Sequence, residues 1–175
     1  MPKMGMDPQL TRGALAAMVA EAARAHPNEA CGLLLGRVED GAERITAIRP
    51  AANVAADPTR HFEIDPATLI AALRAERERG PERGPERGPE LGPERGPELG
   101  PELGPEPGKA ADGQGDVLLG WYHSHPAGEA TPSATDSACA PRDGRLWAII
   151  ARGTVRLWRD GAQGFEMLPT RLADG

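Results

Sequence analysis

Aromatic side chains are scarce in this chain: three Trp, two Phe and one Tyr among 175 residues. A core must therefore rest on Leu, Ala, Val and Ile, and the 39% hydrophobic content is enough for one. Cysteine is scarcer still. Cys31 and Cys139 make no disulfide framework by number or spacing, and both read as small buried apolar residues. No run of eighteen apolar residues occurs, so no membrane-spanning helix is expected. Positive charge is in deficit: the net charge of −6 gives no electrostatic footprint for a nucleic-acid partner. Residues Met1 to Asp7 lack the charged and apolar regions of a secretory leader, so a cytoplasmic protein is the expectation.

What the chain has in plenty is Gly and Pro, and their distribution is uneven. Residues 80–107 are seven tandem tetrapeptides, Gly-Pro-Glu followed by Arg, Leu or, last, Pro. They hold eight of the eighteen prolines and, with seven Glu against three Arg, carry −4 of the −6 net charge. Proline at every fourth position breaks both helix and ladder, and glycine supplies nothing to pack. The period does not match the collagen triplet. The reading is a single domain over residues 1–175, interrupted by a low-complexity Gly-Pro-Glu loop at 80–108.

Outside the repeat, Leu10, Leu15, Met18, Val19 and Ala22 recur at near-helical spacing, predicting a helix from about Thr11 that Pro27 stops. Cys31 to Leu35 reads as a buried strand, Gly41 as a hairpin turn, and Arg44 to Arg49 as the second strand. His61 to Ile64 reads as another strand. Asp65 then caps a helix with Pro66 at its first position, carrying Leu69, Ile70 and Leu73 as far as about Arg79. Beyond the repeat, Val117 to Tyr122 is an apolar strand, and a helix is expected from about Pro132 to Ala140. Two strands, Leu146 to Ala151 and Val155 to Trp158, turn at Gly153, with Phe165 to Leu168 as a last edge strand. Early alternation of helices and strands followed by clustered strands suggests a mixed sheet flanked by helices, an α/β fold.

One stretch points to chemistry. His123 and His125 follow the apolar strand two residues apart, so both imidazoles can face one point where Pro126 ends the ladder. Asp136 stands eleven residues further on, enough chain to turn back. Two imidazoles and a carboxylate with a position left for water make a catalytic zinc site. A lone His-X-His is a weak signal, and alternatives stand beside it. Ser133 to Asp136 is also a helix capping box. Cys139, one helical turn past Asp136, and Glu129 are rival third ligands.

The combination carries more weight. His123-Ser-His125-Pro126, seven residues from Pro126 to Pro132, then Ser133-X-X-Asp136, resembles the signature of the JAMM (JAB, MPN+) metalloproteases. Pro27-Asn-Glu29-Ala-Cys31-Gly32 resembles the upstream segment of their small bacterial members, and Asn53 and Phe62 to Pro66 are similar to the family as well. The resemblance spans about residues 10 to 160, apart from the repeat. It implies a JAMM/MPN-like, cytidine-deaminase-like fold. It also implies Zn²⁺ held by His123, His125 and Asp136, with Glu29 as general base for the attacking water and Ser133 as hydrogen-bond donor to the developing oxyanion.

The activity so implied is hydrolysis of a peptide or isopeptide bond after the C-terminal Gly-Gly of a ubiquitin-like protein, a sulfur-carrier protein being the expected substrate. Deconjugation of a bacterial ubiquitin-like protein from its targets, for example within an antiphage system, is the neighbouring reading. A non-catalytic MPN-type scaffold is the rival, against which the five intact residues argue. The implied partner is thus a protein with a Gly-Gly end, and the oligomeric state is left open between monomer and homodimer.

Overall fold

The computed structural model describes residues 7–79 and 116–174. The Gly-Pro-Glu loop expected at 80–108 lies outside the described residues. The element order is β1 (Gln9–Thr11), α1 (Arg12–Ala25), β2 (Cys31–Glu39), β3 (Ala42–Ala51), α2 (Pro66–Arg79), β4 (Val117–Ser124), α3 (Ala134–Cys139), β5 (Leu146–Ala151), β6 (Thr154–Gly161), β7 (Gly164–Leu168) and β8 (Arg171–Ala173). The strands form one mixed eight-stranded sheet in the order β7-β6-β5-β4-β2-β3-β1-β8. The result is a single-domain mixed α/β fold. Among the described residues no helix is long and apolar enough to cross a membrane.

Local chemistry explains most of the boundaries. Thr11 caps α1, its hydroxyl accepting from the Ala14 N–H at 3.3 Å. Asp40 and Gly41, both at positive φ, make the two-residue turn between β2 and β3. Arg152 and Gly153 do the same between β5 and β6. Asp65 caps α2 by accepting from the Thr68 N–H at 3.1 Å.

Two faces of the sheet carry two cores. On one, α1 presses Ala14 and Met18 onto Leu34, Ile45, Leu119, Tyr122, Ile150 and Leu157. On the other, Ala72 of α2 meets Leu33, Leu35 and Leu118. The β2 side chains alternate between the two, as a strand covered on both faces must. Each fully buried Leu or Met contributes roughly 1.5–3 kcal/mol.

The central strand departs from simple alternation where it matters. Leu34 pairs with Gly120 and Leu35 with Leu118, so Leu119 is an extra residue in β4. Leu119 and Tyr122 lie in the α1 core, whereas Leu118 and Trp121 pack on the α2 side. The bulge thus brings Trp121, and with it His123, to the α2 face.

Four expectations need correction. His61–Ile64 is not a strand. It is a loop that touches the sheet through one bridge, Asn53 to Ile64, because Asn53 takes up its backbone groups by side chain instead. The helix expected over 132–140 is Ala134–Cys139, because Ser133 is extended and serves as its cap. Ile70 and Leu73 are exposed, and α2 packs through Ala72. Cys31 is buried as expected but Cys139 is exposed. The short strands β1 and β8, which pair with each other in parallel, are not anticipated by the sequence pattern.

Candidate metal centre and active-site cleft

The two histidines come from the last rungs of β4 and just beyond it. His123 pairs with Cys31 on one side and Ile149 on the other. His125 extends the ladder one step, its N–H donating to Ile150 O at 2.8 Å. Between them, Ser124 turns away from the site and grips the neighbouring chain. Its hydroxyl accepts from the Ala30 N–H at 2.8 Å, and its N–H donates to Ala30 O at 2.9 Å. That ladder puts Glu29 beside the histidines. From the far side, α3 delivers Asp136. Ser133 Oγ accepts from the Asp136 N–H at 3.0 Å, while Asp136 Oδ2 accepts from the Ser133 N–H at 2.7 Å. This reciprocal capping box locks the carboxylate's direction.

The three side chains converge. His123 Nε2 and His125 Nε2 are 3.0 Å apart. Asp136 Oδ1 lies 3.3 Å from the first and Oδ2 3.3 Å from the second. His125 Nδ1 donates to Glu129 O at 2.8 Å, so in the neutral ring the lone pair is on Nε2, facing the cluster. Ligand atoms bound at about 2.0–2.1 Å around a tetrahedral ion are separated by about 3.3 Å. The observed separations are of this size, each imidazole meeting a different oxygen of the carboxylate, and the His123, His125 and Asp136 set can hold a metal ion.

The rival ligands are not in the cluster. Cys139 is exposed on α3. Glu129 is exposed and contributes its carbonyl rather than its carboxylate.

Electrostatics favour a cation there. Complete burial lowers the pKa of His123, which keeps its ring neutral. Burial opposes the charged form of Asp136, but hydrogen bonds from both imidazoles and the Ser133 N–H outweigh it and hold the carboxyl well below its usual range. Burial also works against a charged His125, yet its contacts with Asp136 and the Glu129 carbonyl prevail and raise its pKa. A buried negative charge among imidazole nitrogens calls for a positive ion, proton or metal.

A cleft of about 690 Å³ opens beside this centre. Glu29, His125, Ser133 and Asp136 line one part of it, and Phe62, Ile64, Leu69, Trp121 and Trp147 form an apolar stretch. Glu29 is 6% exposed, and burial pushes its carboxyl up to about 7, with Asp136 and Asp57 adding to the rise and His125 opposing it. Burial, with Glu29 adding to it, pushes the Cys31 thiol up to about 12, so Cys31 is an inert buried residue behind the site.

Three contributors are not evident from residue spacing. Ser124 carries no spacing signal. Asn53 and Phe62 enter only through the family likeness, which gives them no roles. Asn53 Nδ2 donates to Glu29 O at 3.0 Å and to His61 O at 2.9 Å. Phe62 stacks on His123 with ring centroids 4.2 Å apart.

Residues 11–161 match the family described as prokaryotic homologs of the JAB domain. The chain belongs to that family. Its JAB domain is 29% identical over 135 residues to a protein named desampylase from Haloferax volcanii, covering 75% of this chain and 70% of that one. Among solved structures, it resembles the solution structure of a Desulfitobacterium hafniense protein. That match has a TM-score of 0.67 and 26% identity and covers 95% of this chain and 93% of the other. A JAB1/MPN domain protein from Archaeoglobus fulgidus shares the fold at a TM-score of 0.52 and 17% identity, over 95% of this chain and 99% of the other. The JAB/MPN architecture expected from the motif is therefore the one observed.

Proposed function

We propose that this JAB-domain protein is a zinc-dependent hydrolase. On this reading it cleaves the amide bond after the C-terminal Gly-Gly of a ubiquitin-like protein, releasing it from an attached group or target. The observation that carries the reading is the convergence of His123 Nε2, His125 Nε2 and the Asp136 carboxylate within 3.0–3.3 Å of one another, in a cleft that also holds the buried carboxyl of Glu29. The likeness to a protein named desampylase supports a ubiquitin-like substrate, and it favours deconjugation over sulfur-carrier trimming.

His123, His125 and Asp136 would hold the ion. Bound Zn²⁺ supplies Lewis acidity and makes a water molecule ionise near pH 7. The chain's own residues do the rest. Glu29, its carboxyl raised by burial, accepts the proton from the attacking water and returns it to the leaving amine. Ser133 Oγ spends a lone pair on the Asp136 N–H, and its hydroxyl proton remains available for the developing oxyanion. An extended Gly-Gly end has no side chains to clash beside the buried His123 and Asp136, while the apolar lining of the cleft accepts residues upstream of it.

The test is direct. Purified protein is assayed for zinc content and for cleavage of a ubiquitin-like protein joined through Gly-Gly to a reporter. Bound zinc near one per chain with cleavage after the second glycine is expected. Zinc-free native protein sinks the enzyme reading in favour of a scaffold, whereas zinc without cleavage overturns the substrate assignment.

A further inference from the structure

A ligating imidazole is normally held by a hydrogen bond from its second ring nitrogen, which fixes the ring and tunes its affinity. His125 has one, to the Glu129 carbonyl. His123 does not: its Nδ1 is buried without a hydrogen-bond partner among the described residues, although the ring is completely inaccessible to solvent. Something else must fix its plane.

Phe62 is placed to do so. Its ring lies on the His123 ring at 4.2 Å with an interplanar angle of 17°, while Trp147 meets His123 edge-on at 5.8 Å and 90°. Phe62 belongs to no helix or strand, so its position depends on the loop that carries it. Asn53 secures that loop. Its amide donates to Glu29 O and His61 O and accepts from the N–H groups of Ala55 and Glu63, both at 3.1 Å. Two backbone bonds, Val54 N–H to Glu63 O and Asp65 N–H to Ala52 O, close the loop on either side. The same side chain thus ties the segment bearing Glu29 to the segment bearing Phe62.

We propose that Phe62, held by Asn53, is the positioning residue for His123, its stacked ring replacing the missing hydrogen bond in keeping the imidazole aligned for the metal. The inference rests on the zinc-site reading above. Stacking fixes a ring's plane and excludes water from it, though it does not select a tautomer. Removing the flat face frees the ring to rotate away from the ion and so speeds metal loss.

The experiment measures transfer of zinc from the full-length protein to an excess of a chromogenic chelator, together with the visible spectrum of the cobalt-substituted protein. Phe62→Leu is expected to release zinc on the order of tenfold faster, the lower end of what supporting partners of metal ligands contribute. Its cobalt spectrum is expected to shift. Phe62→Tyr, which keeps the ring, should restore the parental release rate. Leu157→Ala, in the core on the opposite face, destabilises the fold without touching the stack and should leave the release rate at the parental value below its melting range. If Phe62→Leu fails to fold, Phe62→Met fills the space without a flat face and makes the same comparison. Parental release rates in the Leu or Met variant, or equal acceleration in Leu157→Ala, overturn the proposal. A parent protein that binds no zinc overturns instead the reading on which it rests.

Discussion

Ser124 and Ala30 are joined by two hydrogen bonds, hydroxyl to N–H at 2.8 Å and N–H to carbonyl at 2.9 Å. The residue between the two histidines is thereby locked to the neighbour of Glu29. Glu29 is distant in sequence, but the β2–β4 ladder continues through this contact and holds its backbone beside the strand that bears the imidazoles.

Glu29→Gln is therefore expected to keep the shape of the cleft and its metal while losing the proton carrier. Zinc content should stay near one per chain, and kcat should fall by about 10²–10⁴. Elemental analysis and steady-state kinetics on the same preparation check both. Full turnover in Glu29→Gln would exclude this carboxyl as the base.

On the proposed zinc reading, His125→Ala and Asp136→Ala each take away one of three ligands, and each should abolish stoichiometric zinc binding. Glu129→Ala should not, because only the carbonyl of residue 129 is used, and Cys139→Ser should also keep the ion. Zinc loss in either of the last two would restore a rival ligand.

Ser133→Ala combines two effects. Loss of the cap costs α3 about 1 kcal/mol, and loss of the hydroxyl donor lowers kcat by about 10²–10³ if it serves the oxyanion. Ser133→Asn, another good cap, separates them: stability returns and kcat does not. If kcat returns in full with the cap, Ser133 is only structural.

The buried carboxyl of Glu29 also makes stability depend on pH. Its pKa is raised from the usual carboxyl value to about 7 in the folded protein, so the native state binds the proton more tightly than the unfolded chain. Stability associated with the protonated form is complete below the unfolded pKa and is lost as pH rises through about 7. Metal-free Glu29→Gln should match the parent near pH 4 and be more stable at pH 8, by on the order of 2 kcal/mol. Denaturant titrations at the two pH values check this, and equal stability at pH 8 would show that the carboxyl is not perturbed.

The parts of this fold that local chemistry determines are legible in the amino-acid sequence. Thr11, Asp65 and Ser133 are caps, Gly41 and Gly153 are turns, and the apolar runs are strands. What is not legible arises from contacts between segments far apart. The His61–Ile64 segment has the composition of a strand, yet its backbone is claimed by Asn53 and its aromatic ring by His123. Ile70 and Leu73 follow helical spacing, but α2 presents Ala72 to the sheet. The motif residues can be picked out because their types and spacing are chemically restrictive. The roles of Ser124 and Phe62 cannot, because a hydroxyl and a phenyl ring acquire them only from neighbours dozens of residues away.

The extra residue at Leu119 has a consequence for how such a chain can change. Upstream of it, side chains of β4 are chosen for packing; downstream, the same strand presents a histidine to a cleft. The bulge absorbs the extra residue, so Leu118 and Trp121 share one face of β4 while Leu119 and Tyr122 share the other. Deleting Leu119 would remove the bulge and leave His123 facing the cleft, still opposite Cys31; pressing Leu119 into the regular ladder instead would turn His123 toward α1.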